Sequence, residues 1–347
     1  MKIFIAKKIT LVFILSLIPF LYLHCFLDSG DSGDSGAQNR LVRTVLVAGY
    51  YSTPSFIDVA CYWKNGELIV LGDGVDSSHS YSIAVSGNNI YIAGYYTNSN
   101  LVQVACYWID DVESRVDLGD GINSSYSTDI AVSGNNIYVS GYEASSGAFY
   151  WLINDNITRI DLNPNPMASA SSIFVEGDNV YVLGVNASTE PCYWTNGVET
   201  ILANADSASS IFVEGGNVYV SGVNSSFEPC YWTNNTATIL TREGSFTYVN
   251  DIYVSGSDIY IAGSDYIGAI FTACYWGPDG TKTNFDSGTF GAWAESIFFF
   301  EGDIYISGYY YIDASNYTPC YWINTSDSRV DLSTDYGQGT SIWDPYL

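Results

Sequence analysis

Apolar and polar residues alternate with period two along most of this chain, in short runs separated by glycine, asparagine and aspartate. That pattern predicts half-buried β-strands. Ser82-Ile83-Ala84-Val85-Ser86-Gly87 is one such run, and Asp129 to Gly134, Ser172 to Gly177, Ser210 to Gly215, Asp251 to Gly256 and Ser296 to Gly302 repeat it. A second run follows each and closes on a glycine, giving the series Gly49, Gly94, Gly141, Gly184, Gly222, Gly263 and Gly308. The links between the two, such as Asn88-Asn89, Asn135-Asn136 and Asp178-Asn179, are short and suited to positive φ, a hairpin signal. Next comes the triplet Cys-Tyr-Trp, beginning at Cys61, Cys106, Cys192, Cys230, Cys274 and Cys320, with Phe149-Tyr150-Trp151 in the remaining slot. Turns such as Lys64-Asn65-Gly66 and Thr195-Asn196-Gly197 then lead to a short fourth run ending near Leu71, Leu118, Leu162, Leu202, Leu240, Phe285 or Leu332. No stretch after the N-terminal leader carries the 3.6-residue period of a substantial helix.

Seven four-stranded meanders, their triplets 38 to 46 residues apart, predict an all-β fold: a seven-bladed β-propeller of four-stranded antiparallel blades. An open β-solenoid needs distinct capping units, whereas the two ends of this chain complement each other. The first unit, Thr44 to Leu71, lacks a first strand, and Gly339-Thr340-Ser341-Ile342-Trp343 offers one. The expectation is a ring closed by that C-terminal strand, with residues 41–347 forming one domain.

The segment from Trp63-Lys64-Asn65-Gly66 to Leu71-Gly72 resembles the core of the HAF-type extracellular repeat. The units resemble kelch-like propellers more loosely. The resemblance runs over residues 44 to 345 and implies a propeller of an exported protein. It carries no set of functional residues.

The first 27 residues change the setting. Lys2, Lys7 and Lys8 precede an apolar run from Ile9 to Leu27, which has the form of an export signal or, if uncleaved, a membrane anchor. Residues 28–40, with Asp28-Ser29-Gly30 repeated to Gly36, read as a flexible acidic linker. Cys25, ahead of that tether, resembles the lipid-attachment cysteine of bacterial lipoproteins, although Tyr22 and His24 depart from that pattern. Cleavage after Ala37 is an alternative. The expected location is therefore the cell envelope, membrane-tethered through the leader or a lipid, or outside the cell.

Charge narrows the partners. All 37 acidic residues follow the leader, and the whole chain has a net charge of −26. Such a surface repels phosphate backbones, which excludes nucleic acid as a partner. It keeps a tyrosine-rich β-protein soluble, or it steers a cationic partner toward it. Leu71-Gly72-Asp73-Gly74 and Leu118-Gly119-Asp120-Gly121 lack the alternating carboxylates of a calcium loop, so no metal and no cofactor is expected.

The repeat also governs the cysteines. Matching positions on adjacent blades lie roughly 10 Å apart, beyond the about 7 Å between Cα atoms that a disulfide tolerates. The six are expected to be buried free thiols, and the triplet tryptophans inter-blade packing. His79 is the only histidine after the leader, which leaves no material for a histidine-based metal site or a serine triad. Paired carboxylates remain conceivable for a glycoside hydrolase or lyase, from Asp73, Asp76, Asp120, Glu243 and Asp286.

The repeats differ most in the loops entering the first strand and those joining the second to the third, which a propeller places on one face. These loops carry His79, Tyr81, Tyr126, Phe246, Tyr248, Phe290, Trp293 and Tyr336, then Tyr50-Tyr51, Tyr95-Tyr96, Tyr142, Tyr266 and Tyr309 to Tyr311. Their Tyr, Ser, Asn and Gly content is that of a paratope. The site candidates are Trp293, Phe290, Tyr248, Phe246, Tyr126, Tyr81, His79, Tyr336, Tyr51, Tyr96 and Tyr310. Trp293 leads, since the repeat gives its indole no role; the tyrosines otherwise only cover blade ends. The loops Asn186 to Glu190 and Asn224 to Glu228 are the plainest, so a site belongs away from them. The expectation is a non-enzymatic module binding a glycan or an extracellular protein, with a scaffold in an envelope assembly as the alternative and a carboxylate enzyme as the third. If the C-terminal strand closes the ring, deleting Gln338 to Leu347 removes most of the cooperative stability; a truncated chain melting within a few degrees of the intact one refutes that closure.

Overall fold

The computed structural model describes residues 23–28, 42–285, 288–300, 302–314 and 316–332. These form seven four-stranded antiparallel sheets, nearly without helix, each in simple meander order. Blade 1 consists of Leu23–Asp28, Val42–Ser52, Asp58–Lys64 and Glu67–Val70. Blades 2 to 7 span residues 78–117, 125–163, 169–201, 205–239, 247–284 and 292–331. Consecutive blades pack face to face, and blade 7 packs on blade 1, where Tyr305, Tyr309 and Tyr317 join Val47, Tyr51 and Trp63 in one cluster. The expected seven-bladed propeller is the observed fold.

One strand differs from expectation. The inner slot of blade 1, assigned from sequence to Gly339–Trp343, is filled by Leu23–Asp28, antiparallel to Val42–Ser52 with Cys25 opposite Val45. The C-terminal segment lies outside the described residues. The physical reason is that the vacant edge demands only backbone donors and acceptors, so an extended segment of either end can fill it, and Leu23–Asp28 supplies the ladder.

The triplets do what the pattern required. Trp63, Trp108, Trp194, Trp232, Trp276 and Trp322 are all fully buried. Cys106 and Trp108 of blade 2, for example, lie against Leu46, Ala48 and Leu71 of blade 1. Some indoles also tie down loops, as where Trp276 Nε1 donates to the Thr241 carbonyl at 2.7 Å. The six repeat cysteines are buried free thiols, with no disulfide among the described residues. Burial pushes their pKa values up, to about 12 for Cys230, which leaves them protonated and unreactive at neutral pH.

A bulge in the first strand of blades 2 to 7 arranges the centre of the ring. In blade 2 the register shifts between Ser80 and Ser82, and Gly94 opposite accommodates it: a Cβ there would sit 2.0 Å from the His79 carbonyl oxygen. Gly308 does the same under Trp293, at 1.9 Å. After each bulge comes a small polar residue, namely Ser82, Asp129, Ser172, Ser210, Asp251 or Ser296. Both aspartates bridge three blades. Asp129 accepts from Ser82 Oγ at 2.6 Å, Ser172 Oγ at 2.9 Å, Ile173 N–H at 2.8 Å and its neighbour Ile130 N–H at 2.7 Å. Asp251 accepts from Ser210 Oγ, Ser296 Oγ, Ile252 N–H and Ile297 N–H at 2.7 to 2.9 Å. Burial raises the Asp251 pKa, and these four bonds oppose the rise.

The belt makes a specific demand on stability. Asp129→Ala removes the acceptor shared by two hydroxyls and two amides of three blades, and a buried donor left unsatisfied costs about 1–3 kcal/mol. The expected outcome is destabilisation of about 3 kcal/mol or more in urea denaturation followed by tryptophan fluorescence. A variant within about 0.5 kcal/mol of wild type would show that the belt does not join the blades.

Candidate functional site

In each antiparallel meander the start of the first strand and the end of the second emerge together, so the bulged residues and the loops between second and third strands share one face. Two aromatic groups form there, on contiguous blades. Around the junction of blades 6 and 7, Trp293 stands opposite Tyr309 in register. Its indole lies 4.4 Å from the Phe271 ring centroid and 4.9 Å from that of Tyr248. Phe246 adds a ring 4.8 Å from Tyr248, and Tyr266 one 4.9 Å from Phe271. Trp293, Tyr248 and Phe271 are half-buried and Phe246 is exposed, so rings fixed by one another still meet solvent. Phe290 stands exposed in the turn before Trp293.

The second group spans blades 1 to 3 and centres on His79. The imidazole is buried, stacked on Tyr50 at 4.0 Å and 14°. Nε2 lies 3.0 Å from Asp58 Oδ2, and Ser52 Oγ donates to Asp58 Oδ1 at 2.6 Å. A carboxylate only accepts, so Nε2 carries the proton, and in the neutral ring Nδ1 is left to accept from the Tyr81 hydroxyl 3.4 Å away. The rings continue through Tyr95 (5.0 Å from His79), Tyr126 (5.1 Å further) and Tyr142, stacked on Tyr126 at 4.9 Å and 15°. Burial pushes the Tyr95 and Tyr126 phenols up, so both remain neutral hydrogen-bonding groups. The histidine is held on both ring nitrogens and orders a wall of tyrosines. Its carboxylate partner was not foreseen from sequence, because Asp58 and His79 come from different blades.

The structure thus brings together Trp293, Tyr248 and Phe246 on one side, and His79, Tyr81 and Tyr126 on the other. Tyr51 is buried between blades 7 and 1. Tyr96 and Tyr310 turn outward. Arg115 covers the Tyr96 ring at 3.6 Å while the Tyr96 hydroxyl donates to Asp117 at 3.0 Å; Arg329 and Asp331 hold Tyr310 in the same way, at 3.7 and 3.1 Å. These two serve the blade edge. Tyr336 lies outside the described residues, as do the side chain of Cys25 and all of Asp286.

Among the loop carboxylates, Asp73 accepts from the Val75 amide and Asp120 from those of Ile122 and Asn123, as turn formers do. Glu243 contributes instead to a cluster that sequence reasoning missed. Asp265 and Lys282, both buried, form an ion pair under the blade 6 loop, with Glu243 Oε1 3.7 Å from the ammonium. Asp265 also accepts from Thr247 Oγ1 at 2.9 Å and from the Glu243 and Gly244 amides at 2.9 and 3.1 Å. Burial alone would raise its pKa, but Lys282 and these donors outweigh that and hold the carboxyl below the usual range. The pair fixes the loop that presents Phe246 and Tyr248. Phe271, also missed, pairs with Tyr266 across a tight turn, a juxtaposition visible only once the hairpin register is known.

No family model matches the chain, and no curated protein matches it. Among solved structures it is similar to a catalytically inactive virginiamycin B lyase from Staphylococcus aureus, crystallised with quinupristin. The two are 12% identical with a TM-score of 0.48, over 73% of this chain and 94% of that one.

The Asp265 pKa is depressed in the folded state, so the unfolded state takes up a proton first as pH falls. The pair's contribution is complete above the ordinary aspartate value of about 3.9 and is lost in acid as pH passes through the folded value. Lys282→Met, which leaves the carboxylate buried and unpaired, is expected to cost about 3 kcal/mol at neutral pH. The gap to wild type should narrow at about pH 3, because without the ammonium burial favours the neutral carboxyl of Asp265 as pH falls. Urea titrations at both pH values check this; an equal gap would show that the pair is not the source.

Proposed function

We propose that this chain is an exported, non-enzymatic binding module that takes a glycan on its loop face, over blades 6 and 7. The observation carrying this reading is the half-buried Trp293 indole, buttressed by Phe271 and Tyr248 at 4.4 and 4.9 Å and standing at the start of the first strand of blade 7, where the repeat asks for no tryptophan. A fixed aromatic face receives the C–H face of a sugar ring, and Glu243 and Asn284 nearby on blade 6 supply polar rim groups joined to each other. The loops of blades 4 and 5 hold no buttressed group of rings, Phe227 standing alone and exposed, which supports a site on the opposite arc. Against an enzyme stands the employment of Asp73 and Asp120 in turns and of Glu243 beside Lys282. The basic and apolar leader supports export, and Cys25 or the apolar run supports a tether. Removal of the leader beyond Asp28 would vacate the inner slot of blade 1, the place expected for Gly339–Trp343.

A second reading, a scaffold in an envelope protein assembly, rests on the tips of the loops between second and third strands. Phe56, Leu101 and Phe227 occupy left-handed backbone, at φ of 60°, 61° and 58°, where glycine is the natural occupant. Blades 3 and 6 do use glycine at such tips, Gly147 and Gly268. The three apolar side chains are 83%, 78% and 55% exposed, respectively. Strained backbone that displays a large apolar group on one face of the ring suits contact with another protein.

Binding of the full chain to an array of glycans and extracellular proteins tests both, with Trp293→Ala alongside. The expected result is a specific glycan signal weakened at least tenfold by the substitution, about 1.4 kcal/mol. Binding confined to proteins and insensitive to Trp293→Ala would overturn the glycan reading in favour of the scaffold.

A further inference from the structure

The first strands of blades 2 to 7 line the centre of the ring in two layers. The belt of Ser82, Asp129, Ser172, Ser210, Asp251 and Ser296 is the first. Two residues further along each strand, on the same strand face and toward the hairpins, come Ala84, Ala131, Phe174, Phe212, Tyr253 and Phe298. The second layer is lopsided, with two alanines on blades 2 and 3 facing four aromatic residues on blades 4 to 7. The four rings touch in series, at centroid distances of 4.7, 5.2 and 5.0 Å, with planes inclined by 49°, 62° and 66°. They form one continuous wall, and each is half-buried, with surface left toward the channel. Between this wall and Ala84 and Ala131 lies a cavity of about 240 Å³ that also reaches Asp129 and Asp251. That exceeds the ~150 Å³ that accommodates a benzene ring in an apolar core.

The chemistry of the lining selects the ligand. Two carboxylates impose a negative field on a cavity lined otherwise by aromatic and aliphatic groups and by Ser210 and Ser296, whose hydroxyl protons are both given to Asp251, and the acidic protein raises the local concentration of cations. Yet neither carboxylate has a lone pair to spare. Each already accepts four hydrogen bonds, two on each oxygen. A primary ammonium, with three N–H donors, would find both carboxylates saturated and only the neutral hydroxyls of Ser210, Ser296 and Tyr253 to accept from it. A quaternary ammonium has none to satisfy and gains from the field and from the ring faces. A cation beside Asp251 also offsets the burial that raises that pKa, so binding and ionisation favour each other.

We propose that the central channel binds a small quaternary ammonium compound between the aromatic wall of Phe174, Phe212, Tyr253 and Phe298 and the alanines Ala84 and Ala131. This site lies inside the ring, apart from the glycan surface on the loop face, and neither depends on the other.

Calorimetric titration of the full chain with choline tests it, beside ethanolamine and 3,3-dimethylbutan-1-ol, the neutral isostere of choline. Choline is expected to bind at least tenfold more tightly than either. Ala131→Phe copies the residue that blade 4 carries at the matching position and fills the cavity. Phe212→Leu keeps the bulk and removes a ring face. Each is expected to weaken choline at least tenfold, in protein whose thermal melt shows it folded. Equal binding of the neutral isostere would overturn the cation, unaltered choline affinity in whichever variants fold would overturn the location, and no heat at millimolar choline would overturn the site altogether. Trp293→Ala should leave choline affinity unchanged.

Discussion

The structure depends on the close approach, in blades 2 to 7, of the first strand to a glycine within the second, which continues past the glycine where the sequence pattern expected it to end. At Gly94 and Gly308 the space a Cβ would occupy is taken by the carbonyl oxygens of His79 and Trp293. Only glycine lets the bulged strand in, and the bulge then sets the direction of everything on either side of it. Toward the centre it turns a serine or aspartate inward, where the carboxylates of Asp129 and Asp251 gather hydrogen bonds from both neighbouring blades. Toward the loop face it aims His79 and Trp293 at the rings beside them. One backbone irregularity, repeated in six blades, therefore links inner-ring cohesion to the surface that carries the proposed function.

On that template the blades differ in two ways, and the differences are spatially ordered. On the loop face, contacting aromatic groups occupy blades 6, 7, 1, 2 and 3, whereas the short turns of blades 4 and 5 carry a single ring, the exposed Phe227. In the channel the arrangement is nearly inverted, since bulky rings fill the inward position of blades 4 to 7 and alanine that of blades 2 and 3. Neither pattern is needed to build a blade, because Ala84 and Phe174 occupy matching positions in equally regular strands. Packing between blades is served by the buried triplets, so these two surfaces are free to answer to ligands.

The acidic composition takes on a local meaning in this setting. Many carboxylates are satisfied by turns, by Arg115, Arg159 and Arg329 on the outer strands, or by Lys282 beneath a loop. Those near the axis are different, because they are buried, saturated with hydrogen bonds and distant from any of these bases in the strand pattern. They supply field without offering acceptors, a combination that surface aspartates in water cannot provide.

The repeat length, the four strands per unit, the glycine series and the free thiols were legible in the chain because each follows from local periodicity or from the fixed spacing of sheets. The shared side of these loops was legible too, since meander topology sends the same loops to the same side. What the tertiary structure alone decided was the direction of individual side chains and the choice of partner. Tyr95 and Tyr96 are neighbours, yet one joins His79 and Tyr126 while the other goes to Arg115 and Asp117; Tyr309 and Tyr310 divide in the same way, toward Trp293 and toward Arg329. Strand alternation makes such pairs diverge, but which member turns inward is set by the register across the bulge. The pairing of His79 with Asp58, and of Leu23–Asp28 with the open edge of blade 1, likewise joins segments whose affinity is general, a carboxylate for an N–H and one backbone for another. Sequence specifies that such groups need partners, and only the closed ring determines which partners are within reach.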